Sequence, residues 1–261
     1  MLNIPLSIKA PRLRKLERRG LLQIGKNCSI SPEALFMPKD ELGELRPITL
    51  EDGCHIGPGA ILHGGTRIGT GARVEAFTIV GQPETGYAVR KVYDGAGAPT
   101  VIGEESTLRS GATVYAGVRI GEATTIGHGT LLRSFVEVGN NTQLAANLTV
   151  ERQTRIGDRV RCSPGSHLTA ETEVQDGVFI GARVVTINDK RLIWRDPEQE
   201  SPLIPPRFEA GCKIGSGCTI MSGVTVGKDA LVGSASLVTK DVPSGAVVFG
   251  SPARIYEGGA R

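Results

Sequence analysis

Residues 102–191 read, in sixes, IGEEST LRSGAT VYAGVR IGEATT IGHGTL LRSFVE VGNNTQ LAANLT VERQTR IGDRVR CSPGSH LTAETE VQDGVF IGARVV TINDKR. These fifteen hexads run without a slip. The first place is Ile, Leu or Val in thirteen of them, Cys162 and Thr186 being the exceptions. The fifth place is small or β-branched everywhere except Leu148 and the terminal Lys190. A period of six fits neither the 3.6 of a helix nor the 3.5 of a coiled coil. It fits a short strand followed by a tight corner, with places one and five both turned inward. Gly, Asn and Asp at the intervening places tolerate the positive φ that such a corner demands.

Three strands and three corners make a triangular coil of eighteen residues. Stacked coils predict three interior columns. One is Ile102, Ile120, Val138, Ile156 and Val174; the next is Leu108, Ile126, Leu144, Cys162 and Ile180; the third is Val114, Leu132, Val150, Leu168 and Thr186. A chance period within an antiparallel sandwich is the competing interpretation, and fifteen hexads in register weigh against it.

Outward from that run, hexads begin weakly at Ile24 and Ile30, break over 36–49 and return from Leu50 to Val80. An insertion, 81–101, holds GQPETGY with Arg90 and Lys91. A second departs at Asn188, and its proline-rich sequence predicts a loop over 187–211 with coils returning at Ile214. Residues 1–22 carry six Lys and Arg around Pro11, which predicts a short helix ending near Gly20 and capping the first coil. The coils then span 23–242, and 243–261 form a C-terminal cap and tail.

Composition narrows the function. Aromatics make up 4% and Gly numbers 35, as a narrow aliphatic core requires. A net charge of +3 is too weak to argue for nucleic acid and suits small acidic substrates. Cys28, Cys54, Cys162 and Cys218 fall on inward places, Cys212 does not, and none has metal-ligand spacing, so a reducing compartment is expected. No stretch is apolar enough to span a membrane, and the basic start lacks the apolar core of a signal peptide. A cytoplasmic protein without nucleic-acid or membrane partners is the expectation.

The hexads resemble the hexapeptide-repeat family, and the tail GSASLVTKDVPSGAVVFGSPARI resembles the C-terminal signature of its acetyltransferases. The resemblance implies an all-β fold: a left-handed parallel β-helix with two inserted loops and short caps. It implies a homotrimer that binds acyl-CoA, with acetyl-CoA as donor, in a groove between subunits. Gly233, Ser234 and Ala235 would then lie along the pantetheine, while Lys240 and Arg254 would meet CoA phosphates; a solvated surface charge is the alternative for both.

Two further stretches resemble nucleotide-sugar N-acyltransferases of that family. Gln82, Pro83, Tyr87 and Arg90, in the first insertion, are placed to meet the nucleotide. The segment VFIGARVVTINDK resembles the one that sets an Asn beside the thioester, which makes Asn188 the leading catalytic candidate. An Asn amide donates to a thioester carbonyl as it becomes an oxyanion. Asp189 would bind or orient the sugar. This chain has Thr-Ile ahead of Asn188, a departure from the family pattern. His167 and His128 are outward candidates for a general base. The implied activity is acyl transfer from acyl-CoA to the amino group of a nucleotide-linked amino sugar. The alternatives are another amine or hydroxyl acceptor, or a γ-type carbonic anhydrase, which needs three His on zinc; no metal is expected.

Overall fold

The computed structural model describes residues 11–39, 44–84, 98–190 and 203–257. The chain winds as a left-handed parallel β-helix of three sheets. Sheet A starts at Leu22–Ile24, sheet B at Ser29–Ile30 and sheet C at Leu35–Met37, and each sheet adds one short strand per coil. Among the described residues, sheets A and C hold 10 strands each and sheet B holds 12. Register follows the eighteen-residue period: Val101 pairs with Arg119, Ile102 with Ile120, Leu108 with Ile126 and Val114 with Leu132.

The interior columns are those the hexads predict. Ile102, Leu108, Val114, Ile126, Leu132, Val150, Leu168 and Ile180 are all at most 1% exposed. Fifth-place hydroxyls face inward and are satisfied there. Thr124 Oγ1 donates to the Gly139 carbonyl at 2.8 Å and accepts from the Thr142 amide at 3.1 Å; Thr142 repeats both bonds with Gly157 and Val160. A buried hydroxyl with both bonds made avoids the cost of an unpaired polar group. The corners use positive φ, supplied by Gly, as at Gly53 (φ 70°) and Gly177 (φ 68°), or by residues such as Asn141 (φ 54°) and Asn147 (φ 58°).

The second departure is shorter than the sequence suggests. Arg207–Phe208 is already a strand of sheet A, lying between Glu173–Val174 and Thr225–Val226. Phe208 is fully buried, so a benzyl group fills the inward place that aliphatic residues fill elsewhere. A hexad therefore starts at Phe208, and Cys212 drops onto its fifth place, buried with the other four cysteines. The first departure differs slightly too: a strand runs on to Gln82 and the next opens at Thr100.

At the C-terminus, Val247–Gly250 adds a parallel strand to sheet B beside Leu231–Val232, and Ala253–Ile255 returns antiparallel through a cis Ser251–Pro252 bond. One further strand of coil thus lies inside the stretch expected to be cap. At the other end, helix α1 (Pro11–Arg18) is followed by Gly20 at φ 69°, and Leu13 and Leu16 pack against the first coils.

The outer faces differ in chemistry. Sheet A displays Arg119, Glu137, Arg155, Glu173 and Arg207 in consecutive register, an alternating ladder of charge. The outward row of sheet C from Ile61 onward is Ile79, Thr113, Leu131, Thr149, His167, Val185, Thr219 and Leu237. His167 is its sole ionisable member.

Candidate functional site

Sheet C and its two edges hold the described candidates up to Lys240. On the edge leading from sheet B stand His128 and the trio Gly233, Ser234 and Ala235. On the edge leading to sheet A stand Gln82, Pro83, Asn188, Asp189 and Lys240. His167 lies between them, on the outer face of sheet C. Tyr87 and Arg90 lie outside the described residues.

The His167 environment follows from a device the solenoid uses more than once. A glutamate just after an inward strand residue reaches up to the next coil and clamps its corner. At Glu51, one carboxylate oxygen accepts from the Arg67 guanidinium. The other accepts from the Thr70 amide at 3.0 Å and the Thr70 hydroxyl at 3.2 Å. Glu75 makes the same arrangement with Arg109 and Ser110. At Glu151, Oε1 meets His167 Nε2 at 3.1 Å and Oε2 accepts from the Ala170 amide at 3.2 Å. The offsets at Glu51 and Glu151 match: the cation is sixteen residues on and the amide nineteen. A titratable imidazole thus takes the place of a guanidinium.

Both clamps hold their carboxylates ionised. The hydrogen bond from Arg67 keeps the Glu51 carboxyl below its ordinary 4.5. That from His167 does the same for Glu151, against a smaller upward push from burial. The second partner, Glu151, was not among the residues expected from sequence. It sits at an outward hexad place, and only the eighteen-residue stacking would have brought it to His167.

Asn188 follows the strand Val185–Thr186, one coil above the strand of His167, which pairs with Val185. It is half-buried, and its carbonyl is fixed where the second loop returns. The Ile204 amide donates to it at 2.8 Å and the Ser222 hydroxyl at 3.0 Å. The backbone at Asn188 is therefore held at both sides of the departure, which leaves its amide on the edge of sheet C. Asp189 beside it is also half-buried. His128 stands two coils below His167, about 10 Å at 4.8 Å per coil, and on the opposite edge. The two histidines do not converge, and the geometry of a three-His zinc site is not formed by them.

The first insertion is anchored by a carboxylate as well. Glu84, 4% exposed, meets the Arg133 guanidinium and accepts from the Ser134 amide at 3.0 Å, with Arg152 at 3.9 Å. It clamps the corner of the Leu131–Leu132 strand from outside the hexad series. Gln82 pairs with Tyr115 at the root of the insertion, and Pro83 follows it. Glu84 thus ties the root of the insertion to the coils of Arg133 and Arg152.

At the C-terminal end, Lys240 and Arg254 line one cavity of about 420 Å³ with Val242, Val248, Ile255 and Glu257. Sequence places them fourteen residues apart; the antiparallel return of Ala253–Ile255 brings them together. The expected pantetheine trio reads differently in detail. Gly233 and Ala235 already donate their amides to Val248 (2.7 Å) and Ser216 (2.8 Å). Gly233 is glycine for packing: a Cβ there would sit 2.8 Å from the Phe249 Cβ.

Comparison with known proteins agrees with the repeat. Residues 47–82 match the family described as Bacterial transferase hexapeptide (six repeats). Residues 207–240 match the hexapeptide repeat of succinyl-transferase. No curated protein matches the chain. Among solved structures it is similar to the Campylobacter jejuni UDP-N-acetylglucosamine acyltransferase at 16% identity, over 87% of this chain and 74% of that one, with a TM-score of 0.47. The Francisella novicida enzyme of the same name gives 13% identity, 90% and 70% coverage and a TM-score of 0.46. A Vibrio cholerae hexapeptide-repeat acetyltransferase complexed with acetyl coenzyme A gives 25% identity, 50% and 68% coverage and a TM-score of 0.30. The second match begins at Arg207, the residue at which the coils resume. With hexads closed into three parallel sheets and family matches at 47–82 and 207–240, the chain carries hexapeptide repeats of the kind found in the hexapeptide transferases it is similar to.

Proposed function

We propose that this chain is an acyl-CoA-dependent acyltransferase, with acetyl-CoA as donor and the amino group of a nucleotide-linked amino sugar as acceptor. One observation carries the reading. Asn188 stands on the edge of sheet C where the second loop departs, one coil above the Glu151–His167 pair and on the same edge as Lys240. In this reading Lys240 and Arg254 hold the CoA phosphates, and Ser234 with its neighbours borders the pantetheine arm. Gln82, Pro83, Tyr87 and Arg90 meet the nucleotide, and Asp189 meets the sugar.

The amine attacks the thioester carbonyl and forms the C–N bond. Charge moves to the carbonyl oxygen, where the Asn188 amide donates. Collapse of the intermediate breaks the C–S bond and releases CoA. Glu151 occupies His167 Nε2, so the proton lost by the acceptor passes to Nδ1 or to water. His128, on the far edge, enters only through a neighbouring subunit. The uncharged outward row of sheet C supports a homotrimer joined there, since the charge ladder of sheet A suits solvent. Sedimentation at micromolar concentration checks this; a monomer would remove the shared cleft. Five buried cysteines without a disulfide fit a reducing compartment such as the cytoplasm, and no helix among the described residues is long and apolar enough to cross a membrane.

A second reading, a hydroxyl acceptor, is favoured by the Glu151–His167 pair itself. A hydroxyl is a poor nucleophile without a base, whereas a neutral amine needs none. A thermal-shift screen of acyl-CoAs with UDP- and dTDP-linked amino sugars, and with simple sugars, separates the readings through the ligand-linked stabilisation each gives. Lys240→Ala and Arg254→Ala should each raise the acyl-CoA KM with little change in kcat, because phosphate contacts are equal in ground and transition states. An unchanged KM in both would place the donor elsewhere.

A further inference from the structure

The charge of the chain is concentrated at one end. Residues 1–19 carry six Lys or Arg and a single acid, a net of +5. Against +3 for the whole chain, this leaves −2 for the remaining residues. Such asymmetry points to an anionic partner at the basic end.

Helix α1 is oriented to present that charge. Leu13 and Leu16 pack on the first coils, and Glu17 beside them is half-buried. At 100° per residue, Arg14, Arg18, Lys15 and Arg12 then span an arc of about 160° opposite Leu13, and Arg19 follows in the turn after the helix. All five are exposed, and none makes an ion pair with a described residue. Elsewhere on the solenoid Arg67, Arg109, Arg133, Arg155, Arg159 and Arg207 are each matched to a carboxylate. Other exposed cations, such as Arg73, Arg161 and Arg183, stand singly along the solenoid, whereas the end helix gathers its cations on one face.

We propose that the exposed face of α1 docks the N-terminal end of the solenoid on an anionic lipid bilayer. Two observations favour a bilayer over a nucleic acid. The cations lie across the end of a prism and form a blunt face rather than a groove that would track a phosphate backbone. The ten residues that lead into α1, MLNIPLSIKA, include Leu2, Ile4, Leu6 and Ile8 and no acid. Apolar residues next to a basic helix suit the headgroup boundary of a bilayer and have no partner along a duplex. The attachment is electrostatic and reversible, and it leaves the C-terminal cavity at the opposite end of the stack facing away.

Co-sedimentation with vesicles tests this. The full chain should pellet with phosphatidylglycerol–phosphatidylcholine vesicles at low salt, stay in solution with phosphatidylcholine alone, and be released at 0.5 M salt, where the Debye length is only about 4–5 Å. Each cation removed should weaken partitioning about fivefold. Arg12→Gln, Arg14→Gln, Lys15→Gln and Arg18→Gln together should therefore cost two to three orders of magnitude, with the thermal melt and acyl-CoA binding unchanged. If that variant folds poorly, the pair Arg14→Gln and Arg18→Gln should still cost more than tenfold. Lys240→Gln with Arg254→Gln should pellet as the parent does. Failure of the parent to pellet with anionic vesicles, equal pelleting with neutral ones, or undiminished pelleting of the α1 variants overturns the proposal. So does tight binding to a DNA or RNA duplex without vesicle binding. None of these outcomes bears on acyl transfer.

Discussion

The clamp at Glu51 and the clamp at Glu151 are the same construction with different closing groups. Each carboxylate reaches one coil upward, takes a corner amide on one oxygen and a side-chain donor on the other. Their settings differ. Arg67 is 62% exposed on the charged sheet A, where a guanidinium remains charged at any working pH. His167 is 39% exposed on sheet C, whose outward row has no other ionisable side chain. An architecture that closes its clamps with Arg at Glu51 and Glu75 has at Glu151 a group able to accept and release a proton. The difference teaches that the device is structural in general and that changing one closing residue sets a titratable group where a guanidinium otherwise stands.

Four results would break or sharpen that contrast. The largest effect belongs to Asn188→Ala, just above the His-closed clamp. Loss of one oxyanion donor costs about 10²–10³ in kcat, and melting and CoA binding should stay near those of the parent. Near-full turnover would reduce the departure at 188 to a lid. Next comes His167→Asn. It should lower kcat by about 10² if the imidazole takes the proton, while Arg67→Gln at the equivalent place leaves kcat unchanged. A small effect of His167→Asn would favour an amine acceptor that needs no base, and the two clamps would then be alike in role.

Stability should sort the other way. Glu51→Ala removes the partner of a guanidinium, an amide and a hydroxyl, and should cost about 1–2 kcal/mol in denaturant unfolding with turnover intact. An equal loss of turnover would mean the Arg-closed clamp also shapes the site. The smallest effect is the acid limb. The folded carboxyls of Glu51, Glu75 and Glu151 all lie below 4.5. Their contribution is complete above that ordinary value and is lost as pH falls through the lowered folded values. The melting temperature should therefore fall below about pH 4.5, and less steeply in Glu51→Gln. A melt that is flat down to pH 3 would deny these carboxylates a role in stability.

Much of the fold was legible because an aliphatic residue at place one and a small one at place five are demands of the triangular interior itself. The strand at Arg207–Phe208 was not. It follows a proline-rich segment, and Phe208 breaks the aliphatic column by residue type though not by position. Asn188 is proposed through the resemblance of VFIGARVVTINDK to nucleotide-sugar N-acyltransferases, at the point where the coils break. Glu151 could not, since an outward place tolerates almost any residue and its partner is sixteen residues away in the next coil. The union of Lys240 and Arg254 depends on an antiparallel return after Val247–Gly250, which no hexad encodes.

The ladder on sheet A has a consequence for the length of the molecule. Arg119, Glu137, Arg155, Glu173 and Arg207 alternate in sign from one coil to the next. Removal of one eighteen-residue coil, 138–155, would leave the aliphatic columns in phase but set Glu137 directly against Glu173. Directly opposed like charges destabilise a sheet pair. Removal of two coils would restore opposite signs. The interior is indifferent to the number of coils, whereas the outer charges distinguish odd from even. Over this span, insertion or loss of repeats is favoured in pairs.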